Sequence, residues 1–85
     1  MKSFTYVIND IEGVHARPAG IIANEAKNSS SNVVIKCNGK SVDAKRLFGI
    51  MGLSIKCGDV VEIEVTGPNE DEDVIVFEQI FKDNL

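Results

Sequence analysis

The sequence predicts an α+β fold in which a four-stranded sheet is covered on one face by three helices. Three observations carry this. Phe4, Tyr6 and Ile8 recur at every second position, as do Val61, Ile63 and Val65, which marks strands with one buried face. Ala19, Ile22, Ala23 and Ala26 recur at helical spacing, as do Val74, Phe77 and Phe81. Between two β-rich runs stands Asn38-Gly39, the strongest short hairpin signal, suited to a type I′ turn with both central residues at positive φ.

Taken in order, the first strand ends at Asn9-Asp10, and Ile11-Glu12-Gly13 leads into a helix from Ala16 to Lys27. Pro18 fits its first turn, because the N–H that proline lacks would have no partner there. Ile21 falls off the core face, and Gly20 leaves a spot with no side chain on the outer surface at a cost of roughly 1 kcal/mol relative to Ala. Asn28 and three serines end the helix. Val33 to Cys37 is a strand, and Lys40 to Asp43 returns antiparallel to it through the Asn38-Gly39 turn. Leu47 to Leu53 forms only a short helix, weakened by Gly49 and Gly52. Gly58-Asp59 turns the chain into a strand from Val60 to Thr66, with Glu62 and Glu64 towards water, and Gly67-Pro68 stops it. Asn69 is suited to N-cap the last helix, and Glu70, Asp71, Glu72 and Asp73 fill its first turn, where carboxylates meet the positive end of the helix dipole. The order is β-α-β-β-α-β-α, and a sheet apolar on one face takes its helices on that face.

The 85 residues suffice for one domain with one modest core. No apolar run is long enough to span a membrane and the N-terminus lacks the apolar block of a signal peptide, so a cytoplasmic protein without membrane insertion is expected. Cys37 and Cys57 are read as two reduced structural thiols, and no metal site is expected, because only one histidine is available to join two distant cysteines. The net charge of -4 argues against nucleic acid, whose phosphates select basic surfaces. Lys45 and Arg46, with Arg17 elsewhere, leave local positive charge suited to a small anion or an acidic partner.

The chemistry concentrates in Gly13-Val14-His15-Ala16-Arg17-Pro18-Ala19, which holds the only histidine. His15 stands where the first helix begins. Amides without helical partners and the positive dipole end make such a terminus an anion site. A histidine beside an arginine there can take up a phosphoryl group. It can equally be a polar residue that merely caps the helix.

These residues resemble a known family. The stretch from Gly13 to Ala19 is similar to the active-site motif of HPr, the histidine-containing phosphocarrier of the bacterial phosphoenolpyruvate-dependent sugar phosphotransferase system. Asn38-Gly39-Lys40 resembles the family's central hairpin, and Lys45 through Ile55 (KRLFGIMGLSI) its second signature; the likeness covers essentially the whole chain. It implies an open-faced β-sandwich with an antiparallel sheet in the order 1-4-2-3. It implies a monomeric carrier without cofactor, not an enzyme with its own turnover. Enzyme I would phosphorylate His15 on Nδ1, and His15 would pass the group to the A domain of a sugar permease. The amides of Ala16 and Arg17, with the Arg17 guanidinium, would hold the phosphate oxygens. Leu47 and Met51 stand one helical turn apart with Phe48 adjacent, while Ile50 and Leu53 can serve the core. The likeness implies that Leu47, Phe48 and Met51 form a docking patch with Gly20, Ile21 and Asn24. A regulatory adaptor of the same fold that shuttles no phosphate is the alternative.

The chain departs from the family pattern in three places. Arg46 occupies the position of the regulatory serine at the start of the short helix, gives up a serine N-cap worth roughly 1 kcal/mol, and carries the opposite charge to a phosphoserine. Ser41 and Ser54 lie outside that helix start. Glu12 replaces a small polar residue three positions before the histidine; unless it turns to solvent, it repels a phosphoryl group and favours protonated imidazole. Ile11 and Pro68 are also atypical.

Overall fold

The computed structural model describes all 85 residues. Strands β1 (Lys2–Val7), β2 (Asn32–Cys37), β3 (Lys40–Asp43) and β4 (Val60–Thr66) alternate with helices α1 (Ala16–Asn28), α2 (Leu47–Gly52) and α3 (Glu70–Asn84) in the order βαββαβα. The strands form one antiparallel sheet in the order β1-β4-β2-β3. This is the expected architecture. Asn38 and Gly39 have φ of 54° and 78°, as a type I′ hairpin requires. No helix is long and apolar enough to cross a membrane.

The core lies between the sheet and the helices. Register places Ile63 of β4 opposite both Phe4 of β1 and Ile35 of β2, so inward residues of three strands form one row. Ala19, Ile22, Ala23 and Ala26 from α1, Ile50 and Leu53 at α2, and Phe77 and Phe81 from α3 close over that row and are buried. Phe81 receives the rings of Phe4 and Tyr6 edge-on, at centroid distances of 5.7 and 6.0 Å.

The structure revises several local expectations. Asn69 stands at the N-cap of α3 but makes no capping bond with its side chain. Its amide instead donates to Ser30 Oγ at 3.2 Å. Asp73 of the acidic run accepts from Ser29 Oγ at 2.9 Å and from buried Ser31 Oγ at 2.6 Å, tying the end of α1 to the start of α3. The serines that stop α1 therefore also pin the helix layer together. Glu62 and Glu64 are half-buried instead of facing open water. Lys36 on the neighbouring strand reaches Glu64 at 2.9 Å, and this hydrogen bond raises the lysine pKa. The two cysteines part company. Cys37 is buried, and burial pushes its thiol pKa up, whereas Cys57 is exposed and packs into no core.

Candidate functional site

The segment between β1 and α1 is fixed by its backbone. Asn9 and Asp10 donate to the Leu85 carbonyl at 2.7 and 2.9 Å, Gly13 donates to the Asp10 carbonyl at 2.9 Å, and Val14 donates to the Ile55 carbonyl at 3.1 Å. Gly13 is required where it stands. Its φ is +67°, and a Cβ there would lie 2.3 Å from the Ile55 oxygen. Val14, next in the chain, is buried, and the backbone then turns His15 to the surface.

His15 occupies the N-cap of α1 in an extended conformation, and its side chain makes no capping hydrogen bond. The imidazole is therefore not engaged in capping. Its carbonyl accepts from Ala19 at 3.0 Å, the first bond of the helix. The amides of Ala16 and Arg17 precede that bond and have no backbone acceptor, and Pro18 has no N–H to offer. Two donors thus remain open at the positive helix end.

The ring itself is polarised from one side. Nε2 lies 3.5 Å from an oxygen of Asp10 and 3.4 Å from an oxygen of Glu12. Asp10 is locked in this pose because its other oxygen accepts the Glu12 amide at 2.9 Å. Negative charge at Nε2 favours keeping a proton there, which leaves the lone pair on Nδ1. Glu12 has thus not turned away to solvent. It faces Nε2, so the repulsion expected against a phosphoryl group on Nδ1 acts from the far edge of the ring.

Arg17 is exposed and takes part in none of the ion pairs of the protein. It lines a cleft of about 290 Å³ with His15, Asp10, Pro18, Asp83 and Asn84. That cleft is small and polar. It suits a phosphoryl-sized group, where a metabolite site would be larger and more apolar. No sequence motif marks Asp10, Asp83 or Asn84 for this cleft. Asp10 reads there as a strand breaker, and the other two are brought in only by the packing of α3.

The structure places the six docking candidates on α1 and α2. Phe48 is 82% exposed and Met51 38%, while Ile50 and Leu53 are buried, as their spacing requires. Leu47 is half-buried and packs partly against the core, so it offers only part of its side chain. Gly20 and Ile21 are half-buried, Asn24 is exposed, and nothing lies within 4 Å of where a Gly20 side chain would start. Arg46 stands at the N-cap of α2 and makes no side-chain cap. With Lys27 and Lys45 it lines a groove of about 630 Å³ beside Phe48, a larger recess than the one at His15. Lys27 belongs to this basic patch only through the fold.

A family model described as "PTS HPr component phosphorylation site" matches residues 2–83. The phosphocarrier protein HPr of Mycoplasma capricolum is 35% identical over 83 residues, covering 98% of this chain and 93% of the relative. That of Treponema pallidum is 34% identical over 73 residues, covering 86% and 83%. The solved structure of a mycoplasma histidine-containing phosphocarrier protein superimposes with a TM-score of 0.93 at 34% identity, covering 96% of this chain and 93% of that one.

Proposed function

The chain belongs to the HPr family of phosphotransferase-system phosphocarriers, and we propose that His15 accepts a phosphoryl group from phosphorylated enzyme I and delivers it to the A domain of a sugar permease. The observation that carries this reading is the convergence at one helix N-terminus of an imidazole not used for capping, an unpaired guanidinium and two amides without acceptors.

The Nδ1 lone pair attacks phosphorus, the P–N bond to the donor histidine breaks, and the donor ring leaves with the bonding electrons. The Ala16 and Arg17 amides and the Arg17 fork hold the equatorial oxygens, where charge is greatest. The proton on Nε2 stays in place throughout, opposite Asp10 and Glu12. On delivery the electron pair returns to Nδ1, so the carrier is regenerated without a turnover of its own. No metal or cofactor takes part in these steps.

Phe48, Met51 and the exposed part of Leu47, with Gly20, Ile21 and Asn24, form the surface that meets each partner. Methionine and phenylalanine suit a surface that must fit several. The chain works as a cytoplasmic monomer. Arg46 removes the hydroxyl that a serine kinase would modify, so kinase-linked control does not act here. Incubation with such a kinase and ATP leaves the protein unmodified; phosphate on Ser41 or Ser54 with loss of partner binding contradicts this.

The test of the main proposal is incubation with enzyme I and phosphoenolpyruvate. An acid-labile phosphate appears on His15 and disappears when a permease A domain is added. Failure with several enzymes I, the cognate one included, leaves the adaptor reading in its place.

A further inference from the structure

One carboxylate oxygen each from Asp10 and Glu12 and one ring nitrogen of His15 lie within 4.8 Å of one another. One nitrogen and two oxygens form a mixed donor set that suits zinc and similar divalent ions. The distances are informative. Nε2 stands 3.4 and 3.5 Å from the two oxygens, too long for good hydrogen bonds. Zinc bonds of about 2.0–2.1 Å in a tetrahedron set ligand atoms roughly 3.4 Å apart. The two contacts to the ring therefore already match a coordination edge. Glu12, with a side chain 69% exposed, is free to bring its oxygen to a coordinating distance from that of Asp10. Asp10 is held ready by the Glu12 amide on its second oxygen. The cysteine-based zinc site that the sequence excluded is a different matter, since neither cysteine is among these donors.

We propose that Asp10, Glu12 and His15 bind one zinc-class divalent cation, with a fourth position open to water, and that the bound ion switches off phosphoryl acceptance. The second half rests on the phosphocarrier function proposed above. Its chemistry is a matter of protons. Neutral imidazole carries one N–H. A metal taking the Nε2 lone pair displaces the proton from Nε2, and the neutral ring then carries it on Nδ1. Nδ1 no longer has a lone pair with which to attack phosphorus. The same two carboxylates that keep Nδ1 nucleophilic in the free protein thus hold the ion that blocks it.

Titration of the full, unphosphorylated chain with zinc chloride, followed by calorimetry and by the ¹⁵N resonances of the His15 ring, tests the site without enzyme I. One ion binds per chain, and the ring passes to the Nδ1–H tautomer. Asp10→Asn and Glu12→Gln each weaken binding about tenfold or more, with amide spectra that stay dispersed and so report a folded chain. Cys57→Ser, which removes the exposed thiol, binds as the parent does. The absence of saturable binding, equal binding by both carboxylate variants, or loss of binding in Cys57→Ser overturns the site.

A second arm uses enzyme I phosphorylated beforehand and freed of phosphoenolpyruvate. Zinc slows phosphate uptake by the parent, a chelator restores it, and the carboxylate variants need more zinc for the same effect. Uptake unaffected by bound zinc overturns the switch and leaves the site. Absence of uptake without zinc counts against the phosphocarrier proposal alone.

Discussion

The segment that carries His15 and the short helix that carries Phe48 are held in different ways. From Asn9 to Val14 the chain is fixed by four backbone hydrogen bonds, to Leu85, Asp10 and Ile55, and by a glycine that admits no other residue. Helix α2 has six residues, two of them glycine, and no side-chain cap; it is anchored by burying Ile50 and Leu53 while Phe48 projects into solvent. The first arrangement sets the position of a ring nitrogen within narrow limits, which the proposed transfer of a phosphoryl group needs. The second offers an exposed apolar surface, which the proposed recognition of several partners needs. Precision comes from backbone contacts at one region, and breadth comes from exposed side chains at the other.

The sharpest way to break this contrast is Gly13→Ala. A Cβ would meet the Ile55 oxygen at 2.3 Å in a backbone at φ +67°. A loss of about 3 kcal/mol or more is expected, together with loss of phosphoryl acceptance by whatever folded protein remains. Thermal unfolding and a phosphorylation assay check both; parental behaviour would show that the loop is not held as described.

Arg17→Lys keeps the charge and removes the fork. Phosphoryl transfer falls about tenfold, equivalent to roughly 1.4 kcal/mol, with melting unchanged. Phe48→Ala at the other region produces the opposite signature. Binding to enzyme I weakens by about 1–2 kcal/mol, seen by calorimetry, with stability and the chemistry of His15 retained. A fall in melting temperature instead would mean that Phe48 serves the fold.

Glu12→Asn removes one carboxylate from the Nε2 edge. Phosphorylated His15 becomes several-fold longer-lived, because one negative charge near the phosphorylated ring is removed. An unchanged hydrolysis rate would show that Glu12 does not act on the ring. The smallest effect is expected from Gly52→Ala on α2, where nothing lies within 4 Å of the added Cβ. It stabilises the protein by about 0.5 kcal/mol through helix propensity, a gain visible in denaturant midpoint.

Much of the fold was legible because its signals are local. The alternation of Val61, Ile63 and Val65 and the spacing of Phe77 and Phe81 gave the buried faces, and Asn38-Gly39 gave the hairpin. The strand order 1-4-2-3 was not available from periodicity and came through the family likeness. The start of α1 at His15 was likewise readable, since motif and helix terminus coincide. What escaped the sequence depends on distant contacts. Asn69 has the right type for a cap, yet Ser30 competes for its side chain. Asp10 comes to the ring only when the turn from Asp10 to Gly13 brings its oxygen to Nε2. Lys27 joins Lys45 and Arg46 because α1 packs beside α2. Glu12 is unusual by residue type alone, but the direction of its side chain is set by the fold.

The central claim is that Nδ1 of His15 is the accepting atom, with the proton on Nε2 facing two carboxylates. Long-range ¹H–¹⁵N spectra of the imidazole, recorded before and after incubation with enzyme I and phosphoenolpyruvate, test it most directly. The account predicts the Nε2–H tautomer in the free protein and phosphorus attached to Nδ1 afterwards. A free ring protonated on Nδ1, or phosphorus on Nε2, would contradict it.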